Sequence, residues 1–282
     1  MMQMMYRLSV ASLIMCAGLP ATALAQGGPP ADTARNADTI TVGLGVGITP
    51  SYDGAKDYKV IPGGALRGTV AGHDFQLNGL QLFVDAIPND PSSQIDFSLG
   101  PVAGLAMNRT GNVSDDRVDA LGNLDTAVEL GLRSAIGARG VLNPYDKLAL
   151  GVTAQWDVAG AHDSYVIRPE LEYSTLVSRR MFVRIGVGAE FVGDAYARYN
   201  FGISPEGSAA SGLAAYDPDG GLASIGANML GTYSLSGKRT GWSLFGIASY
   251  KRLQGDMAQS PIVTETGSAN QFFASAGVAY TF

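Results

Sequence analysis

From Thr39 to Thr49 the chain alternates strictly. Ile40, Val42, Leu44, Val46 and Ile48 fall on one face of an extended strand, and Thr39, Thr41, Gly43, Gly45, Gly47 and Thr49 on the other. The same dyad returns in Ile95, Phe97, Leu99, Pro101, Ala103, Leu105 and Met107, and again in Leu148, Leu150, Val152, Ala154, Trp156 and Val158. A further run is Met181, Val183, Ile185, Val187, Ala189 and Phe191. These runs are longer than the ~5 to 6 residues of a usual globular strand, and they suit a strand that crosses a bilayer at a tilt.

The pattern predicts strands over 39–49, 57–68, 73–86, 94–108, 125–139, 146–160, 163–177, 181–193, 194–202, 222–236, 241–253 and 270–282. The fold class is therefore all-β, an antiparallel transmembrane β-barrel of about twelve strands, with ten or fourteen also compatible. Pro62, Pro101 and Pro169 cannot donate to a ladder and predict bulges or bends. With both termini on the periplasmic side, the long connections 203–221 and 254–269 face outward. The stretch 109–124 then becomes a long periplasmic turn, and Asn112, Asp115, Asp116, Arg117 and Asp119 become candidates for docking a partner.

The 37 glycines sit largely within the alternating segments. They would weaken a soluble sandwich, whereas on the inner face of a barrel they relieve crowding and permit curvature. Aromatic residues such as Tyr58, Tyr145, Tyr165, Trp242 and Tyr280 fall near run ends, where interfacial girdles form.

The N-terminal segment has Arg7, an apolar run from Leu8 to Leu19, Pro20, and Ala23-Leu24-Ala25 before Gln26. That is the plan of a secretory signal over 1–25, cleaved near Ala25. Residues 26–38 read as a flexible periplasmic leader, and 39–282 as a single barrel domain. Cys16, the one cysteine, leaves with the signal, so no disulfide framework is expected. Removing the signal takes away one base and no acid, which leaves 18 basic residues against 25 acidic ones. With no cluster of Lys and Arg, nucleic acid is not an expected partner.

The opposite face of the dyads carries Glu129, Arg133, Gln155, Asp157, Arg168, Glu170, Glu172, Arg184 and Glu190. Facing the lumen, these groups either pair across strands and plug the barrel or line open water as a selective pore. No catalytic, cofactor or metal site is expected. His162-Asp163-Ser164 has the letters of a triad, yet consecutive strand residues point to opposite faces. Asp217-x-Asp219-Gly220 matches only a fragment of a calcium loop.

At the C-terminus Phe272, Ala274, Ala276, Val278, Tyr280 and Phe282 share one face. An amphipathic strand ending in an aromatic residue is similar to the signal read by the barrel assembly machinery. Phe272, Val278, Tyr280 and Phe282 are its candidate elements.

Several segments together resemble the MipA/OmpV family, outer-membrane proteins named for interaction with the murein transglycosylase MltA. They are Val42 to Gly54 with Asp57-Tyr58, Gly193-Asp-Ala-Tyr196 leading into Tyr199-Asn-Phe-Gly-Ile-Ser204, and the ordered tail Ser249 to Asp256, Ser260 to Val263 and Gly267 to Phe272. The resemblance implies a barrel in outer-membrane lipid. It also implies a non-enzymatic scaffold that joins a lytic transglycosylase and a penicillin-binding protein, and no catalytic residue carries over. Two other roles stay open: a narrow channel for small solutes, and an adhesin or antigen acting through 203–221 and 254–269.

Overall fold

The computed structural model describes residues 38–282 apart from positions 89, 91 and 112. The predicted signal and all but the last residue of the leader lie outside the described residues, as does Asn112. Among the described residues twelve antiparallel strands form a closed barrel in chain order, with the first strand closing onto the last. They are β1 Thr39–Pro50, β2 Tyr58–Val70, β3 His73–Asn78, β4 Gln81–Val84, β5 Ile95–Ala106, β6 Ala127–Arg139, β7 Asp146–Asp157, β8 Tyr165–Leu176, β9 Met181–Val192, β10 Gly221–Ser234, β11 Gly241–Leu253 and β12 Asn270–Thr281. Closure pairs every strand on both sides, which removes the exposed backbone edge that hydrocarbon cannot solvate.

The apolar stripes face outward. Leu44 is 65% exposed and Val60 73%, values that mark a surface meant for lipid rather than for a protein core. Glycine and polar residues of the other stripe face the lumen.

The count of twelve agrees with the expectation through two compensating differences. Residues 73–86 form two strands, because Asn78 pairs with Gln81 across a tight turn in which Gly79 adopts φ +55°. Residues 194–202 form a helix instead of a strand. Nor do the three prolines mark bulges. The β1–β2 ladder runs in constant register past Pro62, and the β5–β6 ladder past Pro101. The β8–β9 ladder lapses between Ile167 and Glu170, beside Pro169, without changing register. The Gly64 carbonyl accepts from Gly79, so even-numbered residues of β2 point toward β3; Pro62 therefore aims its missing donor beyond the end of the short hairpin. The one register shift in the β9–β10 ladder lies between Leu222 and Ser224.

Both described termini lie at one end of the barrel, called here the turn end, whose connections are 71–72, 85–94, 140–145, 177–180 and 235–240. The other, the loop end, holds 51–57, 107–126, 158–164, 193–220 and 254–269. Five short helices fold there: α1 Asp116–Asp119, α2 Asp194–Phe201, α3 Pro205–Ser211, α4 Gly255–Gln259 and α5 Pro261–Thr264. Their boundaries follow local chemistry. Ser204 caps α3 by accepting from the Gly207 amide, Pro205 opens it, and Gly212 at φ +71° ends it. In α2, Ala197 and Phe201 are four residues apart and share the buried face.

These loops pack on one another. Val166, Val192, Ala197, Phe201, Leu253 and Met257 belong to one buried apolar cluster, and Tyr52, Ala55, Val118, Ile203, Leu213 and Ile262 form a second. The Ser260 hydroxyl donates to the Phe201 carbonyl at 2.7 Å, and the Arg117 guanidinium meets Glu265 at 3.3 Å. The loop end is thus covered by a cap with its own core.

Candidate functional site: the lumen and its cap

Strand parity places the lumenal charges. Glu129 and Arg133 lie on β6, Arg168, Glu170 and Glu172 on β8, and Arg184 and Glu190 on β9. All seven face inward, and Glu129, Arg133, Glu170, Glu172 and Arg184 are buried. Arg133 pairs with Glu170, Arg184 with Glu172 at 3.5 Å, and Arg168 with Glu190 at 2.7 Å. Glu129 faces His162 Nε2 at 3.4 Å. Glu170, Glu172 and Glu190 are each matched by an arginine, from β6, β9 and β8 respectively, the arrangement that makes buried charge tolerable. Arg133 also stands 5.9 Å over the Phe83 ring.

Three further connections were not read from the sequence. Asp96 on β5 takes Lys147 and, at 3.5 Å, Arg139. Gln155 accepts from Gln81 at 2.7 Å and from Arg168 at 2.9 Å. Lys251 reaches from β11 to Asp53 in the first loop at 2.9 Å. Asp96 lies between apolar Ile95 and Phe97, and Lys147 keeps the inward parity of the β7 dyad that begins at Leu148, so parity alone would have found them. Asp157, read as a lumenal charge, instead holds the 158–164 turn, accepting from the amides of Ala159, His162 and Asp163 at 2.9, 2.7 and 3.1 Å.

The wall on the other side is built differently. A methyl group on Gly43 would stand 3.5 Å from the Phe245 ring, and one on Gly277 would stand 2.7 Å from it. Phe273 lies at 3.3 Å from the same construction at Gly47. Rings laid over glycines fill this side of the lumen. Ile61 and Phe273 are buried there with Leu80 and Ile247 against them.

Between the charged wall and the cap lies a cavity of about 120 Å³, room for roughly four waters. Arg168, Glu190, Asn228, Lys251 and His162 line it, with Tyr196 and Asn200 of α2 as its roof. His162 packs edge-on to Tyr196 at 5.1 Å and tilted to Tyr199 at 6.2 Å. Burial raises the Tyr196 phenol well above its ordinary value, so that roof is neutral. The partners of His162 are a glutamate and two tyrosines; its Asp163 neighbour stands in a left-handed turn at φ +48°. Among the described residues no group of three or more His, Cys, Asp or Glu is placed to hold a metal ion. Asp217 and Asp219 are exposed and meet Arg198 at 2.8 and 3.5 Å.

The family model for the MltA-interacting protein MipA matches residues 42–282. This chain belongs to the MipA family. A comparison with curated proteins finds no match. Among solved structures, the outer membrane channel DcaP of Acinetobacter baumannii is similar at 7% identity and a TM-score of 0.41, covering 86% of this chain and 96% of that one. An outer membrane channel from Pseudomonas putida F1 is similar at 14% identity and a TM-score of 0.42, covering 89% and 100%. The toluene transporter TodX of Pseudomonas putida follows at 12% identity and 0.36, covering 88% and 90%. The family match and the closed barrel make this chain an outer-membrane protein.

In this MipA-family barrel the C-terminal strand has the expected face. Phe272, Val278 and Phe282 are exposed on the outside, Tyr280 packs edge-on to Phe282 at 4.7 Å, and the Phe282 amide closes onto Ile40 at 2.9 Å. The candidate docking turn is corrected. The extra strand in 73–86 reverses the direction of every strand up to 194, so 109–124 emerges at the loop end, opposite the termini. There Asp115 caps α1 by accepting from the Arg117 amide at 3.1 Å, Asp119 accepts from Val113 at 3.2 Å, and Val118 is buried in the cap. Asp116 lies in the first turn of α1. These residues build the cap and share its end with 203–221 and 254–269.

Proposed function

We propose that this protein is a non-enzymatic outer-membrane scaffold, anchoring a lytic transglycosylase and a penicillin-binding protein of the murein machinery. The observation that carries this is the closed interior, in which ion pairs span β6 to β9 while a cap with two buried apolar clusters covers the loop end. A barrel so filled is a rigid support. The family's description supplies the class of partner. In barrels of this class short turns face the periplasm and long loops the exterior, so the turn end is the side on which such enzymes would dock. Retention of a lytic transglycosylase on immobilised mature protein is expected, and no retention at any salt concentration would overturn the reading.

A second reading, a narrow channel, is favoured by one observation: the glycine-lined wall is not closed by ion pairs, and nothing approaches Gly63 within 4 Å of an added methyl. Planar-bilayer recording with no discrete conductance removes it. Phe282 serves assembly in this proposal. Phe282→Ser is expected to lower outer-membrane levels several-fold, and unchanged levels by immunoblot would remove that role.

A further inference from the structure

The turn end carries a charge pattern that the lumen does not use. Hairpin β8–β9 turns through Val177-Ser178-Arg179-Arg180, and hairpin β10–β11 turns through 235–240, which contain Lys238 and Arg239. Strands β9 and β10 are neighbours, so the two turns lie side by side. They are also bonded to each other. The Ser234 amide donates to the Arg180 carbonyl at 2.8 Å, and the Arg180 guanidinium donates to the Leu235 carbonyl at 3.3 Å.

Four cations therefore occupy two touching turns that contain no Asp or Glu. Arg179, Arg180 and Lys238 are exposed, and among the described residues none of these three forms an ion pair with a carboxylate. The chain as a whole is acidic, at −6, and the loop end displays Asp115, Asp116, Asp217 and Asp219. A basic pair of turns is an exception in this molecule.

Depth on the barrel selects the occupant. Tyr233 lies opposite Met181, and Trp242 lies opposite Tyr280 with ring centroids 5.1 Å apart. Met181, Tyr233 and Trp242 are exposed on the lipid-facing side. A belt of this kind marks the passage from hydrocarbon to headgroups. The four cations follow within a few residues on the same hairpins, which sets them at the level of lipid phosphate.

We infer that these two turns bind the phosphate headgroup of an anionic phospholipid in the leaflet at the turn end. Arg180, oriented by the Leu235 carbonyl, presents a planar fork suited to phosphate oxygens. Arg179, Lys238 and Arg239 add a field that falls off within a Debye length. An acidic protein surface is the competing occupant, and it would have to reach down into the headgroup layer to meet the same groups.

The test uses the full mature protein in detergent with equal amounts of phosphatidylglycerol and phosphatidylcholine, counting retained lipid by native mass spectrometry. Wild type is expected to retain phosphatidylglycerol preferentially. Arg179→Gln/Arg180→Gln/Lys238→Gln/Arg239→Gln should cut that preference about tenfold or more, and about 0.5 M salt should do the same to wild type. Arg117→Gln at the loop end should leave it unchanged. The double variant Arg179→Gln/Lys238→Gln, which removes no hydrogen bond within the barrel, guards against misfolding and should give an intermediate loss in protein that keeps its heat-modifiable gel mobility. Equal retention of the two lipids by wild type, or an undiminished preference in the quadruple variant, overturns the proposal.

Discussion

The interior wall from β5 to β9 and the wall from β11 through β12 and β1 to β2 fill the same kind of space with opposite chemistry. In the first, Arg133, Arg168, Arg184 and Lys147 reach inward to Glu170, Glu190, Glu172 and Asp96. In the second, Gly43, Gly45, Gly47 and Gly277 leave room that Phe245 and Phe273 occupy. The paired wall is held by interactions whose loss strands a buried charge. The glycine wall is held by close backbone approach, where the hazard is added volume. One barrel thus has two failure modes, and single substitutions tell them apart.

The largest effect is expected from breaking a pair. Arg133→Met leaves Glu170 buried without its partner, which costs about 3–5 kcal/mol. Urea unfolding of the folded protein in detergent, followed by gel mobility, checks this. Adding Glu170→Leu should restore most of the loss, because two apolar groups of similar size replace a pair that had to be desolvated. If Arg133→Met is as stable as wild type, the paired wall is not what holds the barrel.

The opposite perturbation is added volume on the glycine wall. A methyl on Gly45 would stand 2.5 Å from the Ala276 carbonyl oxygen and 3.0 Å from the Phe245 ring. The ring can turn, but the carbonyl is part of the β1–β12 closure and cannot. Gly45→Ala is therefore expected to cost about 1–3 kcal/mol, the range for overpacking a filled site. Shortening Phe245 to Leu in the same chain should recover little, since the harder contact is with backbone. A full recovery would show that the ring, not the closure, sets the limit.

Both walls were legible as faces, because the period of two separates lumen from lipid wherever a strand is long. What parity does not reveal is where a strand stops. Within 73–86 the boundary is marked instead by a change of phase, from odd apolar positions at Phe75 and Leu77 to even ones at Leu80, Leu82 and Val84, across Asn78-Gly79, a strong hairpin signal between extended segments. The 194–202 run has aromatic residues that suit a strand, yet Asp194 in its first turn, Ala197 and Phe201 four apart, and Gly202 at its end specify a helix. The two errors cancel in the strand count but not in sidedness, which is why 109–124 moved to the other end while 203–221 and 254–269 did not. The partners of the lumenal charges were beyond reach for another reason. Pairing depends on register between strands and on reach across an intervening one, as Arg133 on β6 reaches over β7 to Glu170 on β8, and the period of two specifies neither.

The smallest expected effect sharpens the comparison most. Thr41 and Thr281 meet hydroxyl to hydroxyl at 2.8 Å across the β1–β12 seam, at the turn end of the glycine wall. Both are inward-facing and only partly buried, so a hydroxyl left alone can turn to water in the lumen. Thr281→Val keeps the branched shape and removes one polar partner, as Arg133→Met does on the paired wall. The expected cost is about 0.5–1.5 kcal/mol, and Thr41→Val/Thr281→Val should lie close to wild type, because removing both partners leaves nothing unsatisfied. The same urea titration reads both walls on one scale. A Thr281→Val loss equal to that of Arg133→Met would mean that polar contacts at the seam, rather than buried charge, determine how strongly this barrel resists opening, and the two walls would then differ in composition without differing in mechanism.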